Sequence, residues 1–343
     1  MHLRDHLAAG QVIPALPLAL TRQRRWDEIS QRALVRYYLD AGAGGLAVAV
    51  HSTEFGIRDS EVGLFEPVLE LAATTARAWR HPADFALIAG ICGRTNQAVR
   101  EATLARKHGY GAGLVSLTAW GNAPERALLA HCRAVARVIP IIGFYLQPAV
   151  GGRRLSPAFW QALAEIPELV AVKIAPFNRY QTIDVVRAMV EAGRDDVALY
   201  TGNDDNIIAD LLTRFEFSGR RRWIAGGLLG QWGVWTRQAV RLFAALKEAR
   251  RQRAIAATWS TRNAQLTDAN AAIFDAAHGF AGCLPGIHEV LRRQGLLASA
   301  ACLDPADRLS PGQAEEITRV TAAYPALVDD DFVREGLDRW RQA

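Results

Sequence analysis

The chain has 343 residues, a formal net charge of +5, 50% hydrophobic residues and 22% charged ones, which is the balance of a globular protein with a sizeable core. No apolar run reaches the roughly 18 residues of a membrane span, and the opening MHLRDHLAAGQVIPAL lacks the basic, apolar and small-residue segments of a secretory signal, so a cytoplasmic protein without membrane contact is expected. The basic residues are spread along the chain and form no stripe interleaved with aromatics, which argues against nucleic acid and leaves anionic small molecules such as carboxylates as the partners favoured by charge.

In chain order, short apolar runs suited to buried parallel strands begin near Val12, Gly45, Phe85, Gly113, Ile141, Val170, Val197 and Trp223. Most of their spacings, about 24 to 33 residues, match one strand–helix unit. Amphipathic segments lie between them, at Trp26–Ala41, Asn96–His108, Pro124–Val138, Pro157–Ile166 and Tyr180–Ala192. Eight such units with no inserted domain predict an α/β fold, a (β/α)8 TIM barrel over residues 1–250, with a doubly wound open sheet as the alternative. Residues 251–343 read as a C-terminal helical extension with no chemistry of its own, packed on the barrel or on a neighbouring subunit. Its expected helices are Ala254–Thr267, Ala269–His278, Ile287–Arg293, Pro311–Ala323 and Asp331–Arg339, the fourth started by Ser310 at the N-cap and Gln313 closing a capping box. Neither GxGxxG after the first strand nor GxxxxGK[ST] is present, so no nucleotide is expected.

Barrel chemistry sits at the C-terminal ends of the strands. The residues there are His51, Ser52, Thr53 and Glu54 after the second strand, Thr118 to Trp120 after the fourth, Tyr145 on the fifth, Lys173 on the sixth, and Thr201 to Asp205 after the seventh. Only three of the forty basic residues are lysines, Lys107, Lys173 and Lys247, and Lys173 alone lies in an apolar strand, AVKIA; the other two are expected at solvated helix ends. Burial disfavours an ammonium and lowers its pKa, which makes Lys173 the candidate nucleophile for imine formation. A buried lysine paired with a carboxylate such as Glu54 would leave the same signature. Tyr145, on the neighbouring strand, is the candidate proton carrier, and a barrel-layer aromatic is its bland alternative. The hydroxyls and amides of Ser52 and Thr53 suit a substrate carboxylate, or else a loop cap. His51 stands alone, without the second imidazole that a catalytic metal would need, and the cysteines Cys92, Cys132, Cys283 and Cys302 lack the spacing of a zinc site or a disulfide framework.

The order of these anchors resembles the dihydrodipicolinate synthase/N-acetylneuraminate lyase family, from about Val12 to beyond Gln313. VIPALPLAL is similar to its first strand, and His51 to Glu54 falls at its Gly-Thr-Thr-Gly-Glu turn. Tyr145-Leu146-Gln147-Pro148 resembles its Tyr-Asn-x-Pro signature, Lys173 lies 28 residues further on at the Schiff-base lysine, and Thr201-Gly202-Asn203-Asp204 is similar to its Ser-Gly-x-Asp turn. The resemblance implies a class I lyase that forms a Schiff base between Lys173 and a 2-oxo acid such as pyruvate, with an aldehyde as second substrate and no metal or organic cofactor. It assigns proton relay to Tyr145 and substrate contacts to His51, Ser52, Thr53, Gly202 and Asn203, and it implies a homo-oligomer, a dimer or tetramer. The chain departs from the family pattern at the second-strand glycines, at the fourth-strand tyrosine pair (Thr118-Ala119-Trp120 here) and at the motif arginine, replaced by Val150 with Arg153 and Arg154 nearby. Those departures argue against the lysine-biosynthetic condensation. They also motivate a second hypothesis, a catalytically lapsed barrel that binds 2-oxo acids as a regulatory protein; a metal-dependent barrel hydrolase is a third.

Overall fold

The chain's strands close around an apolar centre in the structure, a computed structural model that describes residues 2–79, 85–252 and 254–342. In chain order they are β1 (Val12–Pro14), β2 (Gly45–Val48), β3 (Ala86–Ile91), β4 (Ala112–Val115), β5 (Ile141–Leu146), β6 (Leu169–Ala175), β7 (Ala198–Thr201), β8 (Arg214–Phe217), β9 (Arg220–Trp223) and β10 (Gly226–Leu229). All but β8 and β9 form one parallel sheet in the order β1-β10-β7-β6-β5-β4-β3-β2, and a parallel bridge between Ala15 and Ala47 joins its two ends. The fold is the expected (β/α)8 barrel.

Burial on both faces explains why these strands read as unbroken apolar runs rather than as alternating ones. Successive side chains nevertheless point to opposite faces. Ala47, Ile88, Leu114, Ile142, Val170 and Ala198 fill the barrel, while their neighbours Leu46, Leu87, Val115, Ile141, Leu169 and Leu199 meet the surrounding helices. This two-residue phase decides which strand-end side chains reach the mouth.

Three features differ from the sequence-based expectation. The last barrel strand begins at Gly226 rather than near Trp223, because Arg220–Trp223 folds back on Arg214–Phe217 through Ser218 and Gly219, both with positive φ (50° and 72°), the hairpin-turn conformation. An N-terminal helix, Leu3–Ala8, drives Leu3 and Leu7 into the N-terminal end of the barrel and closes it. In the C-terminal region Thr258–Ile273 is one continuous helix, and the next, Cys283–Arg293, starts four residues early. The helix expected at Pro311 begins instead at Gln313, after Gly312 at φ 81°. Half of the expected capping box forms: Gln313 Oε1 accepts from the Ser310 N–H at 3.1 Å, while the Ser310 hydroxyl donates to Asp275 at 2.5 Å and the Gln313 Nε2 donates to the Gly282 carbonyl at 2.9 Å.

The extension packs on the barrel's own helices. Tyr37, on the helix Glu28–Ala41, donates to the Asp329 carboxylate at 2.7 Å, and the buried Trp340 donates to Asp40 at 2.7 Å. Among the described residues, no helix is long and apolar enough to cross a membrane.

Candidate active site

A cavity of about 90 Å³ opens at the C-terminal mouth of the barrel, with Lys173 in its wall. A larger space, about 380 Å³, lies on the barrel's flank between helices; its lining, which includes Trp235, Arg241 and Tyr324, holds no buried nucleophile, so the mouth is the better candidate.

Lys173 sits on β6 opposite Phe144 of β5 and Tyr200 of β7, on the inward face. Its ammonium lies 4.7 Å from the centroid of the Phe144 ring, a cation–π contact, and among the described residues it has no hydrogen-bond partner. Burial holds the amine below its ordinary pKa, and the negative charge of Asp204 offsets part of that shift. Asp204 is pushed in the opposite sense, above the usual carboxylate range, by the same burial. Its Oδ1 accepts from the Gln231 backbone N–H at 3.2 Å, which fixes the carboxyl at the cavity edge. The acid that acts on Lys173 is therefore Asp204 and not Glu54, whose carboxylate accepts from the Leu303 N–H at 2.6 Å.

Room for the lysine depends on Gly202. A Cβ at that position would lie 2.7 Å from Lys173 Cε and 2.8 Å from Ala175 Cβ, closer than real Cβ contacts, so the glycine gives the side chain its channel. His51 and Ser52 also line the cavity. His51 is lowered to about 4, first by burial and then by the Lys173 charge, so the imidazole is neutral at neutral pH. Ser52 is buried and lines the cavity.

Three residues expected at the substrate are placed elsewhere. Tyr145 pairs with Ile174 rather than with Lys173, and its fully buried ring faces outward onto Trp160, 5.1 Å between centroids. Its hydroxyl accepts from the Leu155 N–H at 3.3 Å and approaches the Leu155 carbonyl at 3.5 Å. The phase of β5 thus assigns the inward position to Phe144. Thr53 donates its hydroxyl to the Leu16 carbonyl at 2.6 Å and its N–H to the Val50 carbonyl at 2.9 Å, leaving nothing for a ligand. Asn203 is spent as a clip: its Oδ1 accepts from the Phe177 N–H at 2.9 Å and its Nδ2 donates to Asp210 at 2.9 Å. Arg153 does not replace the missing arginine, since its guanidinium donates to the Gly121 and Ala123 carbonyls, both at 2.7 Å, and Arg154 is exposed. Lys247, expected in solvent, donates to the Gly10 carbonyl at 2.8 Å; Lys107 is exposed beside Glu66 as anticipated.

Sequence reasoning passed over part of the wall. Gln147 follows β5, Phe177 follows β6, and the C-terminal region contributes Phe274, Phe280, Cys283 and Ile287. Phe144 was findable from strand alternation counted against Lys173. The four residues of the extension carry no local signal, because only the tertiary fold brings them over the mouth.

Residues 8–323 match the Dihydrodipicolinate synthetase family. A 4-hydroxy-tetrahydrodipicolinate synthase from Cyanothece sp. is 26% identical over 208 residues, a stretch that spans 59% of this chain and 66% of that protein. The crystal structure of a dihydrodipicolinate synthase from Oceanobacillus iheyensis superposes with a TM-score of 0.74 at 16% identity, covering 94% of this chain and 99% of that one. An N-acetylneuraminate lyase from Fusobacterium nucleatum, complexed with pyruvate, gives a TM-score of 0.73 at 18% identity, again covering 94% and 99%. The matched span takes in Lys173 and its whole barrel, and the chain belongs to the dihydrodipicolinate synthetase family.

Proposed function

We propose that the chain is a class I lyase in which Lys173 forms a Schiff base with a 2-oxo acid. The observation that carries this reading is a lone amine, depressed in basicity by burial, at the C-terminal mouth of the barrel with one ionisable carboxyl beside it. The neutral Nζ adds its lone pair to the C2 carbonyl, whose oxygen takes up a proton. The carbinolamine loses water to give an iminium, which accepts the electron pair when a bond to the neighbouring carbon breaks; hydrolysis returns the free lysine. These steps need a group that exchanges protons near neutral pH. Asp204, held above the usual carboxylate range by burial against the opposing pull of the Lys173 charge, takes the role that the sequence suggested for Tyr145.

Pyruvate is the 2-oxo acid to test first, being the ligand of the Fusobacterium lyase. Its carboxylate would meet neutral donors, the Ser52 hydroxyl and the His51 and Gln147 side chains, since no arginine lines the cavity among the described residues. Phe144, Phe177, Phe274 and Phe280 suit a second substrate, an aldehyde with an apolar or aromatic body. That aromatic wall argues against condensation with the polar aspartate semialdehyde; Trp120 packs on His131 and is not part of it.

The test is reduction with borohydride in the presence of pyruvate, digestion and mass spectrometry. A reduced adduct on Lys173 alone is expected. The outward Tyr145 favours a second reading, a barrel that binds 2-oxo acids without turning them over. Reversible pyruvate binding with no trapped adduct would replace the first reading with the second.

A further inference from the structure

Behind the cavity wall, three buried side chains from distant parts of the chain converge. A carboxylate oxygen of Glu54, a ring nitrogen of His288 and the sulfur of Cys302 all lie within 4.8 Å of one another. Glu54 is 4% exposed, His288 1% and Cys302 0%. We infer that Glu54, His288 and Cys302 bind one zinc ion, which staples the loop after β2 to the C-terminal helical region.

The support around the three side chains is that of a metal site. The segment Ala301–Leu303 supplies a ligand and orients the other two. His288 Nδ1 lies 3.1 Å from the Ala301 carbonyl and 3.6 Å from the Cys302 sulfur, so this edge of the ring faces the thiol. The Leu303 N–H donates to one Glu54 oxygen at 2.6 Å and fixes the carboxylate plane. The remaining atoms, Glu54 Oε1 and His288 Nε2, are buried with no partner among the described residues. Buried polar atoms are nearly always paired, and a metal ion would give this cluster a shared partner. Ligand bonds of about 2.0–2.3 Å would draw the three side chains onto one ion after small rotations.

The donor set selects the ion. A thiolate and an imidazole suit zinc and disfavour magnesium and calcium, which take oxygen ligands. Two anionic ligands and a neutral imidazole make the buried zinc site neutral overall, the Cys302 proton passing to solvent on binding. A water completes four-coordination and keeps that balance of charge. Sequence spacing gave no hint of the site, because the cysteines are scattered and the ligands come from opposite ends of the chain. The role is structural: Glu54 follows Ser52 and Thr53, and His288 follows Ile287, so the staple holds two walls of the cavity together. It does not depend on imine chemistry at Lys173.

The experiment uses the full-length protein, stripped with chelator and then titrated with zinc chloride under equilibrium dialysis, with cobalt(II) as a spectroscopic probe. One zinc per chain is expected, with a thiolate-to-cobalt charge-transfer band and a higher melting temperature in zinc. Cys302→Ser should remove the cobalt band, and Cys302→Ser and His288→Ala should each weaken zinc binding at least about tenfold. Cys92→Ser should change neither. Sub-stoichiometric zinc, or binding indifferent to Cys302→Ser, overturns the assignment. Should the variants not fold, the wild-type protein decides the question: cobalt bound without a thiolate band also overturns it.

Discussion

At the N-terminal end of the barrel, Lys247 donates to the Gly10 carbonyl at 2.8 Å, His6 Nε2 lies 2.7 Å from the Gly44 carbonyl, and the Tyr200 hydroxyl donates to the Leu7 carbonyl at 2.9 Å. At the C-terminal end, Lys173 has an aromatic face and shares the cavity with the Asp204 carboxyl, and His51 also lines it. The same residue types thus occur at both ends, and burial lowers both lysines. What separates them is satisfaction. The lower end commits its polar atoms to backbone and closes over them with Leu3 and Leu7, whereas the upper end leaves an amine and an acid beside open space. In this fold conserved geometry reads as stability below and chemistry above, and here the hydrogen-bond accounting alone separates the two.

The comparison is broken most directly at Lys173. Lys173→Ala should abolish borohydride trapping and lower turnover of a 2-oxo acid substrate by at least about 10³-fold, with an unchanged melting temperature. Full turnover in that variant would end the Schiff-base reading. Asp204→Asn comes next: it keeps the acceptor for Gln231 but removes the proton carrier, so a loss of about 10²-fold is expected. The sign of its pH effect follows from the charge. Asp204 raises the Lys173 pKa, so its removal lets that pKa fall further, and the acid limb of the trapping-rate profile moves to lower pH. A limb that stays in place would show that the two groups do not interact.

The lower end should respond in stability instead. Leu7→Ala removes a fully buried side chain from the plug and should cost about 2–5 kcal/mol by denaturant titration. Trapping at Lys173 in the folded fraction should persist, since Leu7 does not line the cavity. Between these extremes stands Gly202→Ala, whose added methyl meets the Lys173 and Ala175 side chains directly; overpacking of this kind costs about 1–3 kcal/mol, and trapping should slow along with it.

How legible each end was follows from the kind of signal it carries. The strands were readable because burial on both faces makes them apolar runs at regular intervals, and Lys173 because it interrupts one of those runs. The plug helix Leu3–Ala8 is too short to show a period, and the hairpin Arg214–Trp223 hides in a charged stretch. Ser52, His51 and Gly202 line the cavity because strand ends converge there, but Thr53 and Asn203 use the same polar groups to hold their own loops. Composition does not distinguish a hydroxyl that waits for a ligand from one that is already bonded. The Phe274, Phe280 and Ile287 wall and the Glu54–His288–Cys302 cluster arise from packing between distant segments, which no local pattern records.

Tyr145 gives the smallest expected effect and the finest discrimination. Its spacing from Lys173 in sequence favours a catalytic tyrosine, while its pairing with Ile174 turns the ring away from the amine. Tyr145→Phe keeps the contact with Trp160 and deletes only the hydroxyl that accepts from the Leu155 N–H. A structural hydroxyl predicts a loss of about 0.5–1.5 kcal/mol in stability, with turnover and trapping within about twofold of wild type. A catalytic hydroxyl predicts the reverse, near-native stability with turnover down about 10²-fold or more. The second result would require β5 to change register by one residue in the working enzyme, by a slip or by a shift of the bulge between Ile141 and Ile142, exchanging Phe144 for Tyr145 at the amine.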